Sequence, residues 1–332
     1  MDIPSARPVR AVPVERHHSS TLSYESFLRE YVATNRPVVV EAAVSAWPAL
    51  QKWTPEYFSE RFADIKVDVS YEQKMRFADF IDGVVRSSEQ SPGPYMYRLF
   101  IGPHLPQLLS DVLPQNAYAF PRRLASSLMP KAWRRPDGYL KLLMGGVGGR
   151  FPTMHYDGEN MHAAITEIHG DKTFVLYSPQ DTKFLYPRPT LPNKTLIADI
   201  DDVDPVRFPL FARATRYQTT LHPGDMIFVP SKWWHTARVI STSISVCQNM
   251  VDGSNWRGFV ADVCGPTRGR KRWKQFLKRV FLTALGLVFR MRELLLPPRH
   301  DRKLQILAAI APLTAYEAAD PKTWPMHEWD VE

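Results

Sequence analysis

His155 and Asp157 stand two residues apart in the run Met154-His155-Tyr156-Asp157. On a strand that spacing turns both side chains to one face, so the two can share one divalent ion. A third ligand must come from a neighbouring strand. His235 is the candidate, because it follows the turn Pro223-Gly224-Asp225, an apolar strand at Met226–Val229 and the pair Trp233-Trp234. Two His and one carboxylate leave three positions of an octahedron open, the arrangement of non-heme Fe(II) oxygenases, which need those positions for substrate and dioxygen. The same residues admit other readings. Three protein ligands and a water also suit zinc, and manganese is equally permitted, so a metal-dependent hydrolase or isomerase stays open. A His-x-Asp triplet also arises by chance, and a non-catalytic effector module could use the same scaffold, since fold does not settle function.

These residues require a set of strands to hold them. Short apolar and β-branched segments recur at Leu140–Met144, Met161–Ile168, Thr173–Tyr177, Tyr217–Leu221, Met226–Val229, Trp234–Ile240 and Ser243–Gln248. Turn residues separate them, among them Gly145-Gly146, His169-Gly170-Asp171 and His222-Pro223-Gly224-Asp225. Many short strands at such spacing predict a mainly β protein with flanking helices, its core a double-stranded β-helix of the jelly-roll or cupin kind. Upstream, Tyr24–Thr34 and Thr54–Phe62 have helical apolar spacing, and Thr54 before Pro55 reads as an N-cap followed by proline in the first turn. Pro37–Val44 between them reads as a buried strand.

Gly145 through Asn249 resembles the JmjC and cupin-like family of Fe(II)- and 2-oxoglutarate-dependent dioxygenases, especially the branch containing the asparaginyl hydroxylase that acts on hypoxia-inducible factor. The resemblance is carried by His155-Tyr156-Asp157, by Gly170-Asp171-Lys172 leading into Leu176-Tyr177-Ser178-Pro179, by Pro223-Gly224-Asp225 and by Trp233-Trp234-His235. Arg36-Pro37-Val38 and Trp47-Pro48-Ala49 are similar to the segment that precedes the jelly roll in the same proteins.

It implies that His155, Asp157 and His235 hold Fe(II), and that Lys172 pairs with the distal carboxylate of 2-oxoglutarate. Lys172 alternates with Phe174 and Leu176, which would share its inward face. Tyr97 and Asn249 fall where the resembling enzymes place neutral donors to the cosubstrate. Thr153 stands one residue from the position of a family hydroxyl, which here is Pro152. The interval from His155 to Lys172 is longer than in that branch, so contacts across Gly158–Thr166 do not transfer residue by residue. The implied reaction consumes 2-oxoglutarate and O2, releases succinate and CO2, and hydroxylates a protein or peptide side chain. Demethylation follows when the hydroxylated carbon bears nitrogen. A small metabolite or lipid-linked product is the alternative substrate.

The chain has 332 residues with 44% hydrophobic and 23% charged, an ordinary globular composition that excludes a disordered or collagen-like protein. Its net charge of +8 invites a nucleic-acid or membrane reading. Twelve Lys and Arg between Arg268 and Lys303 face only Glu293 and Asp301, which leaves the remainder slightly acidic. The charge therefore belongs to a basic helical region at 255–332, after an N-terminal tail at 1–21 and a catalytic domain at 22–254. Within that region Lys274–Leu296 is helical, ended by Pro297-Pro298, and a second helix is expected at 302–310. The resemblance implies a homodimer through C-terminal helices, and membrane-surface contact through residues 268–303 is the alternative. Nucleic acid is the least favoured partner. Cys247 and Cys264 are too few for a disulfide scaffold. The first twenty residues lack an apolar secretory core, and no apolar run reaches a membrane span, so a cytoplasmic protein, peripheral to a membrane at most, is expected.

Overall fold

The computed structural model describes residues 11–69, 73–120, 122–124, 126–129, 140–265 and 272–295. The helix stop at Pro297-Pro298 and the second helix expected at 302–310 lie outside them, as do residues 1–10 of the tail.

The strands are β1 (Val12–Pro13), β2 (Arg16–His18), β3 (Val38–Glu41), β4 (Lys66–Asp68), β5 (Lys74–Arg76), β6 (Tyr95–Phe100), β7 (Leu140–Gly145), β8 (His162–His169), β9 (Lys172–Tyr177), β10 (Tyr217–Leu221), β11 (Met226–Val229), β12 (Trp234–Val239) and β13 (Ser243–Met250). The seven segments named as strands between residues 140 and 248 are all present, with ends within two residues of those expected. A larger sheet has the order β2-β3-β11-β8-β13-β7-β6 and a smaller one β1-β10-β9-β12. Leu143, Ala163, Ile165, Ile227 and Cys247 of the larger sheet meet Phe174, Leu176 and Ala237 of the smaller in one apolar cluster. That is the jelly-roll core expected from the spacing of strands and turns.

Side-chain alternation decides what this interior contains. Ala163, Ile165 and Glu167 of β8 point inward, while Ala164 and Ile168 face other clusters outside the sheets. On β9 the inward set is Lys172, Phe174 and Leu176, and on β13 it is Ser245, Cys247 and Asn249. β8 is buried on both sides because helices cover the outer face. Helices α1 (Pro55–Phe62) and α2 (Phe77–Val85) place Phe58, Phe77, Phe80 and Val84 against Leu140, Leu142, Met144 and Val246. The Thr54 side chain accepts from Tyr57 N at 3.2 Å with Pro55 in the first turn, as expected. Tyr24–Thr34 is less regular than its spacing suggests, a single α-turn at Tyr24–Phe27 running into a π-helix at Leu28–Val32.

Gly170 makes the β8–β9 turn. Its φ is +73°, and a Cβ there would lie 1.9 Å from the Thr242 carbonyl oxygen, so a side chain is excluded on two counts. After β13 come α3 (Trp256–Val263) and α4 (Arg272–Leu295). Leu282, Leu285 and Phe289 of α4 pack on Trp256, Phe259 and Val263 of α3. Where they cross, a Cβ on Gly286 would lie 2.3 Å from Trp256 Nε1.

Candidate metal centre

His235 is the second residue of β12, opposite Leu176 of β9. At the same position its backbone meets His155: His155 N–H donates to His235 O at 3.1 Å, and His235 N–H donates to His155 O at 2.7 Å. That two-bond bridge closes an 80-residue interval and brings the rings to a centroid distance of 4.4 Å. The continuous strand expected through His155 and Asp157 does not form. His155 makes isolated bridges only, and Asp157 caps a 3-10 turn at Gly158–Asn160. The turn still delivers the carboxylate, with Asp157 Oδ1 3.7 Å from His155 Nε2. One candidate ligand atom from each of His155, Asp157 and His235 lies within 4.8 Å of the others.

The unused atoms of these side chains are tied down. His155 Nδ1 lies 3.0 Å from Thr153 O, and His235 Nδ1 lies 3.0 Å from Trp233 O. A carbonyl can only accept, so each Nδ1 carries the proton and each Nε2 presents a lone pair. Asn249 Nδ2 donates to Asp157 Oδ2 at 3.1 Å, leaving Oδ1 as the free ligand atom. Phe151 stacks on the His155 ring at 4.2 Å.

Burial, with repulsion from His155, pushes His235 down to about 4, so it is neutral at pH 7 and ready to ligate. Burial opposes ionisation of Asp157, but the His155 hydrogen bond and the attraction of either imidazole when it is protonated outweigh it and hold the carboxyl well below the usual range. Two imidazoles held through Nδ1 and one carboxylate, fixed in orientation, fit a divalent ion with open positions.

The triad opens on a cavity of about 520 Å³. Tyr97, Thr153 and Asn249 line it with the triad, as do Arg98 and Lys141. Tyr97 packs its ring on Phe151 at 4.6 Å. Thr153 holds His155 through its carbonyl. Asn249 Oδ1 is buried without a hydrogen-bond partner, a polar atom that an occupant of the cavity could satisfy.

Lys172 lies deeper. It is fully buried and is not on the cavity wall, where Tyr95 stands instead, its ring centroid 5.3 Å from Lys172 Nζ. Lys172 Nζ donates to Ser245 Oγ and lies 3.7 Å from Glu167 Oε2. Glu167 also accepts from Ser243 Oγ at 2.5 Å and from Ser245 Oγ at 2.9 Å. Burial pushes the Glu167 carboxyl up to about 7 even with the ammonium beside it. Burial works against the Lys172 charge too, but Glu167 outweighs it and the pKa is raised.

Spacing alone leaves Glu167, Tyr95 and Lys141 unmarked. A signal for Glu167 exists, because it and Lys172 flank the Gly170 turn and alternate with inward apolar residues on consecutive strands, one in each of the two facing sheets. Trp233 and Trp234 flank a candidate ligand in the chain, which suggests pocket walls, but neither ring lines the cavity. Trp233 packs in the core with its indole N–H on Asn35 O at 2.8 Å, and Trp234 donates to Thr182 Oγ1 at 3.0 Å. His162, a lone histidine not read as a ligand, accepts from Ser231 N at 2.9 Å and contacts Ser254 Oγ at 3.0 Å.

Known proteins are similar to this chain over about two thirds or more of its length. The chain is 28% identical over 256 residues to lysine-specific demethylase 8 of Danio rerio, covering 73% of this chain and 59% of that protein. It is 29% identical over 244 residues to tRNA wybutosine-synthesizing protein 5 of Gallus gallus, covering 68% and 73%. Lysine-specific demethylase JMJ30 of Arabidopsis thaliana is 27% identical over 256 residues, covering 72% and 56%. The chain thus spans between half and three quarters of the length of these relatives. Residues 24–250 match the cupin-like domain, and the chain belongs to that family.

Proposed function

We propose that this protein is an Fe(II)- and 2-oxoglutarate-dependent oxygenase that hydroxylates a protein or peptide side chain. The observation that carries the reading is the triad itself, two imidazole Nε2 atoms and one carboxylate oxygen preset around one point at the mouth of a 520 Å³ cavity. Iron with 2-oxoglutarate and O2 would supply the oxidation of an unactivated C–H bond, releasing succinate and CO2. The chain supplies position and charge. Thr153 O and Trp233 O hold the imidazoles, Asn249 holds Asp157, and the apolar walls Leu143, Ile165, Phe174 and Ala237 keep water out.

The distal carboxylate of 2-oxoglutarate needs a cation, and we assign it to Lys172 with the Tyr95 hydroxyl in front. Lys172 already has Glu167 as a partner, so a second carboxylate is accepted when Glu167 takes up a proton. A carboxyl pushed up to about 7 does so at little cost near neutral pH. Tyr97 and Thr153 supply neutral donors on the cavity wall. Lys141 makes no ion pair with a described residue, and its charge reaches Asp157. With Arg98 it would favour an anionic group in the prime substrate. That cationic wall supports a second reading of the target, a small or lipid-linked acid. When the oxidised carbon bears nitrogen, as in a methylated lysine, hydroxylation leads on to demethylation.

The test is turnover without prime substrate. Purified protein given Fe(II), 2-oxoglutarate, ascorbate and oxygen should form succinate slowly; if no succinate forms and 2-oxoglutarate does not bind, the oxygenase reading fails and a zinc or manganese enzyme takes its place. Mass spectrometry of a lysate incubated with the enzyme should then reveal products heavier by one oxygen atom.

A further inference from the structure

Helix α4 has two apolar faces. One, carrying Leu282, Leu285 and Phe289, is buried on α3. The opposite one is exposed along the whole helix, with Phe276 65%, Leu287 62%, Met291 62% and Leu294 73% accessible. At about 3.6 residues per turn, Trp273, Phe276, Val280, Leu287, Met291 and Leu294 form one stripe. Exposed Leu277, Phe281, Val288 and Leu295 widen it on one side, and cations edge the combined face: Arg272, Arg279 and Arg290 along one border, Lys274 and Arg292 along the other, all exposed and none paired with an acid among the described residues. The helix has one acidic residue, Glu293, and Arg123 occupies it through two bonds of 2.9 and 2.7 Å. The mount is firm. Trp256 Nε1 donates to Leu282 O at 3.1 Å, and Lys278 Nζ donates to Val263 O at 3.1 Å.

We infer that this outer face of α4 docks on an anionic lipid surface, lying in the interface rather than crossing it. Apolar side chains enter the headgroup boundary while lysines and arginines on both borders reach lipid phosphates, the pattern of interfacial helices. Trp273, at the start of the helix and beside Lys274, suits the same boundary. None of the described helices is long and apolar enough to cross a membrane. A second copy is a poorer occupant. With both borders cationic, pairing two such faces sets like charges against each other in either orientation, and no acid on the helix is left to relieve them. The docked face would also hold the metal triad near the bilayer, because Asn160, in the turn after Asp157, exchanges hydrogen bonds of 3.0 and 2.9 Å with Asn255 ahead of α3.

The test is co-flotation of the full chain with vesicles of phosphatidylcholine alone or with a third of phosphatidylglycerol, together with light scattering. The expected result is binding to the anionic vesicles only, weakened by salt. The double variant Phe276→Glu, Leu287→Glu should abolish it. Arg279→Gln and Arg290→Gln should each weaken it about fivefold, as expected for one cation near a charged bilayer. These side chains are exposed, so the variants should melt like the parent. Equal binding to both vesicles overturns the anionic assignment. A monomer that floats with neither vesicle overturns docking. A dimer that the double variant dissociates, without flotation, assigns the face to a second copy instead.

Discussion

The interior of the barrel holds two polar clusters, and they are opposites. At the open end, His155, Asp157 and His235 bring an anion and two lone pairs together with no cation among them, and their spare atoms are fixed by Thr153 O, Trp233 O and Asn249. At the closed end, Lys172 and Glu167 neutralise each other between Ser243, Ser245 and Tyr95. On the proposed reading the open cluster takes up a divalent ion. The closed cluster is already balanced and accepts another anion only if a proton arrives first. A cosubstrate that spans the two must satisfy both conditions.

Removing one member separates the clusters most sharply. Asp157→Ala should abolish measurable Fe(II) binding by calorimetry, and with it succinate formation, while the fold persists because the lost group faces the cavity mouth. Retention of tight metal binding would place the ion elsewhere. Lys172→Ala should leave the metal in place but cost about 3–5 kcal/mol of stability in urea, because it strands Glu167 in the core. That cost depends on pH. In the parent the folded carboxyl titrates at about 7 with the ammonium beside it, and removing Lys172 pushes it higher still, so the variant's extra loss of stability sets in as pH rises through about 7. The variant should therefore lose more at pH 8 than at pH 5. It should also weaken 2-oxoglutarate binding at least tenfold, whereas Lys141→Ala should not; the reverse order would move the anchor to Lys141.

A smaller effect is expected from Asn249→Ala. The Asp157 carboxylate would keep its place but lose its orienting hydrogen bond, and metal affinity should fall by about 10–100-fold, the usual cost of losing such a partner. Calorimetric titration with Mn(II) would read it, and an unchanged affinity would show that the turn at Gly158–Asn160 orients Asp157 unaided.

The open cluster was largely legible in the residues and the closed one was not, for a physical reason. His155, Asp157 and His235 are few, chemically specific and set between strong turn signals, so their meeting follows once the strands are placed. Even there the path differed, because a backbone bridge from His155 to His235 replaces the expected strand and a 3-10 turn presents Asp157. Glu167 gave a weaker signal, its place beside the Gly170 turn. An acidic residue in an alternating strand reads as solvent-facing, and only the helices packed outside the larger sheet leave β8 with no wet face. Trp233 and Trp234 erred the other way, since rings next to a ligand suggest a pocket wall, yet their indole N–H groups are spent on Asn35 O and Thr182 Oγ1. Lys141 was missed because a single lysine inside an apolar run is normally an outward residue.

The finest separation of the clusters is the proton. If the distal carboxylate of 2-oxoglutarate shares Lys172 with Glu167, binding above pH 7 must protonate Glu167, and affinity should fall by up to tenfold per pH unit there while staying flat below. No other group facing the pair confuses this window: burial raises Tyr95 and pushes Cys247 up to about 12, and Lys172 is raised as well. The remaining charge that reaches Glu167 is Asp171, in the turn outside the barrel. Glu167→Gln keeps the shape and removes the competing charge. It should bind 2-oxoglutarate about tenfold more tightly at pH 8, lose the pH dependence, and end the proton uptake that calorimetry in buffers of different ionisation enthalpy detects in the parent. A parent affinity that stays level between about pH 6 and pH 8, with no proton taken up, would mean that Lys172 and Glu167 are a closed structural pair and that the cosubstrate ends above them, at Tyr95 and Lys141.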